Sequence, residues 1–169
     1  MKAVINYPYI LVFIIFFTLG DIDIIAADLL IVDKTALELR VYEQDSLIGS
    51  FEIACGKYKG NKLQEGDCKT PEGYFSICKI QDSSTWKHDF KDGTGLIEGA
   101  YGPYFFRLQG DGLEADAGIG IHGTHIPQSI GSRSTEGCIR LRNEDIIELY
   151  GYVYVGMHVI ILPDYPVLK

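Results

Sequence analysis

Two segments carry the chain's most distinctive pattern: Ile119-Gly120-Ile121-His122-Gly123-Thr124-His125 and, after residues 126–133, Ser134-Thr135-Glu136-Gly137-Cys138-Ile139-Arg140-Leu141. Each sets a reactive side chain against a short apolar run. Ile119 to Ile121 reads as a strand, so His122 falls at its end. Ile139 and Leu141 flank Arg140, so a second strand starts beside Cys138. A cysteine in a Gly-Cys turn at a strand's edge exposes its sulfur, and its nucleophilic form is the thiolate. A histidine in hydrogen-bond reach takes the thiol proton or holds the thiolate as an ion pair. Successive N–H groups over Glu136-Gly137-Cys138 offer the hollow that an acyl-transfer oxyanion needs. Gly123 permits close approach of another segment. The bland readings stand beside these. A lone cysteine is usually a small buried hydrophobe, the reading given to Cys55 and Cys78, and a lone histidine is usually a satisfied polar residue. On spacing alone, a catalytic Cys138–His122 pair and the bland readings carry equal weight.

Outward from this centre the chain reads as strands joined by turns. Leu29 to Val32 is a short strand and Asp33-Lys34-Thr35 a turn. Leu37, Leu39 and Val41 then alternate with polar residues, the period of a strand with one wet face. Leu47 to Cys55, Tyr74 to Ile80, Tyr104 to Leu108 and Tyr154 to Leu162 complete the strands. Gly56 to Gly73 is a long polar loop, and Gln81 to Glu98 a second, with Asp92-Gly93 as a turn signal and Trp86 as a lid packed on the core or, less commonly for a loop tryptophan, a substrate platform. One helix is expected after the cysteine, Glu144 to Tyr150, with Asn143 as its cap and Gly151 as its stop. Fold class is mainly β, sandwich-like, with one short helix, in a single domain over residues 28–163.

Composition narrows the function. The chain has 169 residues with 19 glycines, and 15 basic against 23 acidic residues give a net charge of −8. That sign argues against a non-specific nucleic-acid binder. Met1-Lys2 and the apolar run of residues 4–19 read as an export signal covering residues 1–20, with cleavage between 20 and 27. An N-terminal membrane anchor through residues 4–19 is the alternative. Arg133, Arg140 and Arg142 cluster around Cys138 and suggest a locally positive site. His122, His125 and Cys138 lack the spacings of a zinc site, so no metal and no cofactor is expected. Four cysteines are too few for a disulfide scaffold; Cys68 with Cys55 or Cys78 is a pairing left open.

The pattern as a whole resembles the catalytic domain of the L,D-transpeptidases (the YkuD type). The family motif is His, about 14–17 residues, then Ser/Thr-x-Gly-Cys-Ile/Val-Arg. His122 is followed by 15 residues and then Cys138, and Thr135, Gly137, Ile139 and Arg140 fill the remaining positions. His122-Gly123-Thr124, Ser129-Ile130-Gly131 and Asn143-Glu144-Asp145 match the flanks. Gly66-Asp67 with Lys69-Thr70-Pro71-Glu72-Gly73 matches an upstream element. One departure is Glu136, where histidine is common.

The resemblance implies an exported enzyme of the periplasm or cell envelope that works on peptidoglycan stem peptides. Cys138 is then the nucleophile and His122 the proton acceptor and donor, with the N–H groups of Gly137 and Cys138 as the oxyanion hole. Arg140, Thr135, Gly123, Thr124 and His125 become substrate or loop supports. An L,D-carboxypeptidase or wall-peptide hydrolase would use the same pair, and a non-catalytic wall-binding domain would not need it. A carboxylate at Glu136 is expected to oppose thiolate formation.

Overall fold

A computed structural model describes residues 27–90 and 93–165. The expected export signal or anchor lies outside the described residues, as does Asp92 of the expected turn. The fold is mainly β. The first three strands form a meander: β1 (Leu29–Asp33), β2 (Glu38–Glu43) and β3 (Ser46–Glu52). Leu30 and Val32 face Val41 and Leu39 across the β1–β2 ladder, all four fully buried. Their burial is worth about 1.5–3 kcal/mol each against leaving them in water. The turn between them closes on Asp33, whose carboxylate accepts the N–H groups of Thr35 and Ala36. Leu37 belongs to this turn at a φ of 56°, so β2 begins one residue later than the alternation indicated.

After β4 (Cys55–Gly56) come β5 (Gly73–Asp82), β6 (Lys87–Asp89), β7 (Leu96–Glu98) and β8 (Tyr104–Gln109). The chain continues through β9 (Gly120–His122), a 3-10 turn at Pro127–Ser129, β10 (Arg133–Thr135) and β11 (Ile139–Arg140). It ends in α1 (Asn143–Tyr150) and β12 (His158–Ile161). Eight strands make one sheet in the order β11-β9-β8-β5-β12-β1-β2-β3. The sheet curls until its two edges meet. Just past β3, Ala54 exchanges both backbone hydrogen bonds with Arg140 of β11, at 2.8 Å each. This curl gives the sandwich-like core, filled by Phe51, Ile77, Phe106, Leu108, Ile139 and Val159 among others.

The helix lies where expected, but its cap does not. Asn143 is the first helical residue, and its side-chain oxygen accepts the N–H of Thr124 at 2.8 Å instead of capping the helix. The supposed loop 81–98 also contains structure, because β6 and β7 pair as a small antiparallel hairpin. Its three-residue strands are too short and too polar to show an alternating pattern.

The loop between β4 and β5 is held by a buried lysine. Lys34 is fully buried and bonds Glu72 at 2.7 Å and Asp164 at 3.4 Å, and donates to the carbonyls of Gly60 and Thr70. Thr70 accepts the N–H of Gly56, and Asp67 accepts from Leu63, Gln64, Lys69 and the Lys62 ammonium. The upstream sequence element is thus a bracket that shapes one wall of the cleft described next.

Candidate active site

β9 and β11 run parallel, with Ile121 beside Ile139 and His122 beside Arg140. Side chains alternate along each strand, so Ile121 and Ile139 enter the core while His122, Arg140 and Cys138 share the opposite face. Carried back one step, the register sets Cys138 beside Gly120. Gly120 has to be glycine, since a Cβ there would lie 2.3 Å from the Phe105 ring and 2.6 Å from the Phe106 carbonyl. Cys138, His122 and Arg140 open together into a cleft of about 700 Å³.

His122 is 3% exposed. Its Nδ1 lies 2.6 Å from the carbonyl of Gly123, which only accepts, so Nδ1 carries the hydrogen and Nε2 keeps its lone pair. Phe105 stacks flat on the ring at 5.3 Å, and Tyr101 meets it edge-on at 5.0 Å. Burial first, and then the Arg140 guanidinium, push its pKa down to about 3, against the pull of backbone carbonyls at Gly123 and Tyr101. The ring is neutral at physiological pH. That favours a neutral base beside a thiol over a standing thiolate–imidazolium pair.

The Cys138 thiol donates to the Gly118 carbonyl at 3.4 Å. Burial raises its pKa above the ordinary thiol value. The Gly120 N–H, Arg140 and Lys62 pull the other way, and Glu136 adds to the rise as the smallest of these influences. The turn before it is tied by Thr135, which is 2% exposed. Its hydroxyl donates to the Cys138 carbonyl at 2.6 Å and accepts the Gly137 N–H at 3.2 Å. The Gly137 N–H, expected as an oxyanion donor, is therefore engaged with Thr135 here. Gly137 sits at a φ of +140°, and a Cβ on it would lie 2.8 Å from the Lys69 carbonyl, which packs this turn against the bracket loop.

The other expected residues separate by place. Arg140 is 5% exposed and donates to Ser129 Oγ at 3.1 Å, while its Nε has no partner among the described residues. It lies 5.9 Å from the Phe90 ring centroid. Gly123 lets the Gly102 backbone approach, for a Cβ there would meet Asn143 Oδ1 at 2.4 Å. Thr124 accepts the Ile126 N–H through its hydroxyl and shapes the loop. His125 does not line the cleft; it donates to the Ala100 carbonyl and stacks on Phe90 at 5.2 Å. The expected arginine cluster disperses: Arg133 turns to Asp164 and Arg142 to Glu52, leaving Arg140 alone of the three at the cleft. With Glu65, Asp89, Asp116 and Glu136 on the lining against Lys62 and Arg140, acidic side chains outnumber these two basic ones in the cleft. Charges close in sequence point to different sides of a strand and its turns, which is why the cluster misled. All four cysteines are free thiols, and Cys68 lies on the cleft wall.

Tyr101 and His88 also line the cleft and carry no sequence motif. Only the folding of the hairpin over β9 brings them there. The one signal in the sequence was the concentration of aromatic residues between Trp86 and Phe106. No group of three or more His, Cys, Asp or Glu residues suited to a metal occurs among the described residues.

Comparison with known proteins bears on this arrangement. The family model for the L,D-transpeptidase catalytic domain, YkuD, matches residues 27–161. The chain is 34% identical over 125 residues to the L,D-transpeptidase relative YkuD of Bacillus licheniformis, covering 74% of this chain and 59% of that protein. It thus spans about three-fifths of that relative's length. The catalytic domain of the Enterococcus faecium L,D-transpeptidase shares the fold at a TM-score of 0.59 and 23% identity, over 80% of this chain and 96% of that one. L,D-transpeptidase 3 of Mycobacterium tuberculosis, solved with a faropenem-derived adduct, does so at 0.61 and 17%, over 80% and 60%. The match to the family model runs from ahead of β1 to the end of β12, and the chain belongs to the YkuD family of L,D-transpeptidase catalytic domains.

Proposed function

We propose that the cleft is the active site of a cysteine-dependent peptidoglycan L,D-transpeptidase, in which Cys138 is the nucleophile and His122 the base. The observation that carries this reading is the shared face: thiol, neutral imidazole and guanidinium stand on two adjacent parallel strands above one cleft. In acylation, His122 Nε2 takes the thiol proton as sulfur bonds to the carbonyl carbon of the third stem residue. Collapse of the tetrahedral intermediate breaks the C–N bond, and His122 gives its proton to the departing D-alanine. In the second half, the side-chain amine of a diamino acid on another stem attacks the thioester. Its proton passes through His122 and the thiol is restored, leaving a 3→3 crosslink.

The Cys138 N–H is the first donor assigned to the oxyanion, and that of Gly137 joins when its bond to Thr135 is shared. Arg140 offsets negative charge at sulfur and oxyanion. Thr135, Gly123 and Thr124 hold the two loops, and His125 supports Phe90. Export to the periplasm or envelope by residues 1–20 is part of the proposal, since the substrate lies there. No helix among the described residues is long and apolar enough to cross a membrane.

The test is incubation of the protein with a disaccharide-tetrapeptide and mass spectrometry of the products. Dimers joined 3→3 with release of D-alanine are expected, and Cys138→Ala should lower the rate by at least a thousandfold. Tripeptide without dimer would assign the hydrolytic alternative instead. Full activity in Cys138→Ala would overturn the nucleophile, leaving a wall-binding role.

A further inference from the structure

His88, on β6, is used by none of the steps above. Its Nε2 lies 3.3 Å from Glu136 Oε2, and its Nδ1 lies 2.9 Å from the Tyr101 hydroxyl. These two contacts fix the hydrogens. A carboxylate oxygen only accepts, so Nε2 carries a hydrogen. In the neutral ring Nδ1 is then a bare lone pair, and the Tyr101 O–H must donate to it. When the ring is protonated, Nδ1 becomes a donor, the tyrosine oxygen accepts, and the hydroxyl hydrogen turns away from His88. Tyr101 is a phenol throughout this exchange: burial, then the neighbouring Cys138 and Glu136, push its pKa up to about 12. It lines the same cleft as Cys138 and packs against His122.

We propose that His88 is a positioning residue for acyl transfer, whose proton, held in place by Glu136, decides whether the Tyr101 hydroxyl donates to His88 or into the cleft, where the acyl oxygen develops charge. The inference rests on Cys138 as the nucleophile. It gives Glu136, the departure from the family pattern, a partner from a distant element. The groups facing His88 are Glu136 from the cysteine turn, Tyr101 from the segment ahead of β8 with His122 of β9 behind it, and the Phe90 edge at 4.4 Å. Along its own hairpin stand Asp89 and the Lys87–Glu98 pair. Glu136 is a charged group in hydrogen-bond contact with the ring.

The test compares two reactions of Cys138 between pH 5.5 and 8: acylation by the stem tetrapeptide, read as D-alanine release, and alkylation by iodoacetamide. Alkylation develops no carbonyl oxyanion, so the ratio of the two rates cancels the ionisation of the thiol. In the wild type the ratio should rise about tenfold toward acid pH, the scale of one hydrogen bond gained in the transition state. His88→Gln can donate to Glu136 and accept from Tyr101 but cannot be protonated, so its ratio should be flat. Tyr101→Phe should also be flat, and the double variant should add nothing. A His88→Gln ratio that follows the wild type at every pH, or additive losses in the double variant, would overturn the proposal. Alkylation without any Cys138-dependent D-alanine release would instead sink the nucleophile assignment on which it rests.

Discussion

His122 is the residue on which burial acts most strongly. Between Phe105 and Tyr101, and with Nδ1–H on its own neighbour's carbonyl, it leaves only 3% of its surface for water to solvate a charge. In the unfolded chain a histidine takes a proton near pH 6.5, whereas in the fold this one resists until about pH 3. Over that window the unfolded state binds more protons, so stability falls as pH falls, by up to about 1.4 kcal/mol per pH unit from this group. Urea unfolding measured from pH 7 to pH 4 should show this slope, and His122→Gln should lose it whatever its absolute stability. An unchanged slope would mean that His122 is already charged in the fold. That His122 and Cys138 stand at neighbouring strand ends was legible in the sequence, because an apolar run ending in histidine and a Gly-Cys turn opening a strand are local signals; their role as a pair was carried by the resemblance and is part of the proposal.

At the scale of elements, the turn from Thr135 to Cys138 joins β10 to β11 and carries the candidate nucleophile. One hydroxyl satisfies both a buried N–H and a carbonyl in it. Thr135→Val keeps the shape and strands both groups, so it should cost about 1–3 kcal/mol in thermal or urea unfolding. It should also slow acylation, while Thr135→Ser stays close to wild type. Equal stability of Val and Ser variants would show that the hydroxyl is idle. The meander strand with a wet and a dry face was legible because alternation survives in β2, where Leu39 and Val41 are buried between half-exposed neighbours. The β6–β7 hairpin was not, for its pairing depends on the surface beneath it. Asn143 looked like a cap because its position relative to Glu144 and Asp145 is right, but Thr124 across the fold competes for the same oxygen and wins. Tyr101 and His88 belong to this class too, as partners made by folding and not by spacing.

Over the whole molecule, Lys34, Glu72, Asp164 and Arg133 tie the start of the described chain to its end and to the wall of the cleft. Nothing in the local sequence marks Lys34 as buried, since a lysine in a turn ordinarily lies in water. Lys34→Met should leave Glu72 and Asp164 without their shared cation, at a cost of about 3–5 kcal/mol. The same variant should loosen the bracket loop, read as faster amide exchange across residues 57–72. A loss below about 1 kcal/mol would mean that Arg133 alone carries the network.

β1 has β12 as its parallel neighbour inside the sheet, and Asp164 reaches back to Lys34. The earliest described strand therefore has no finished partner on that side until residues past 160 are available. Such long-range wiring raises contact order and slows folding. Slower folding lengthens the time the chain spends unfolded, the state in which the proposed passage across a membrane would take place.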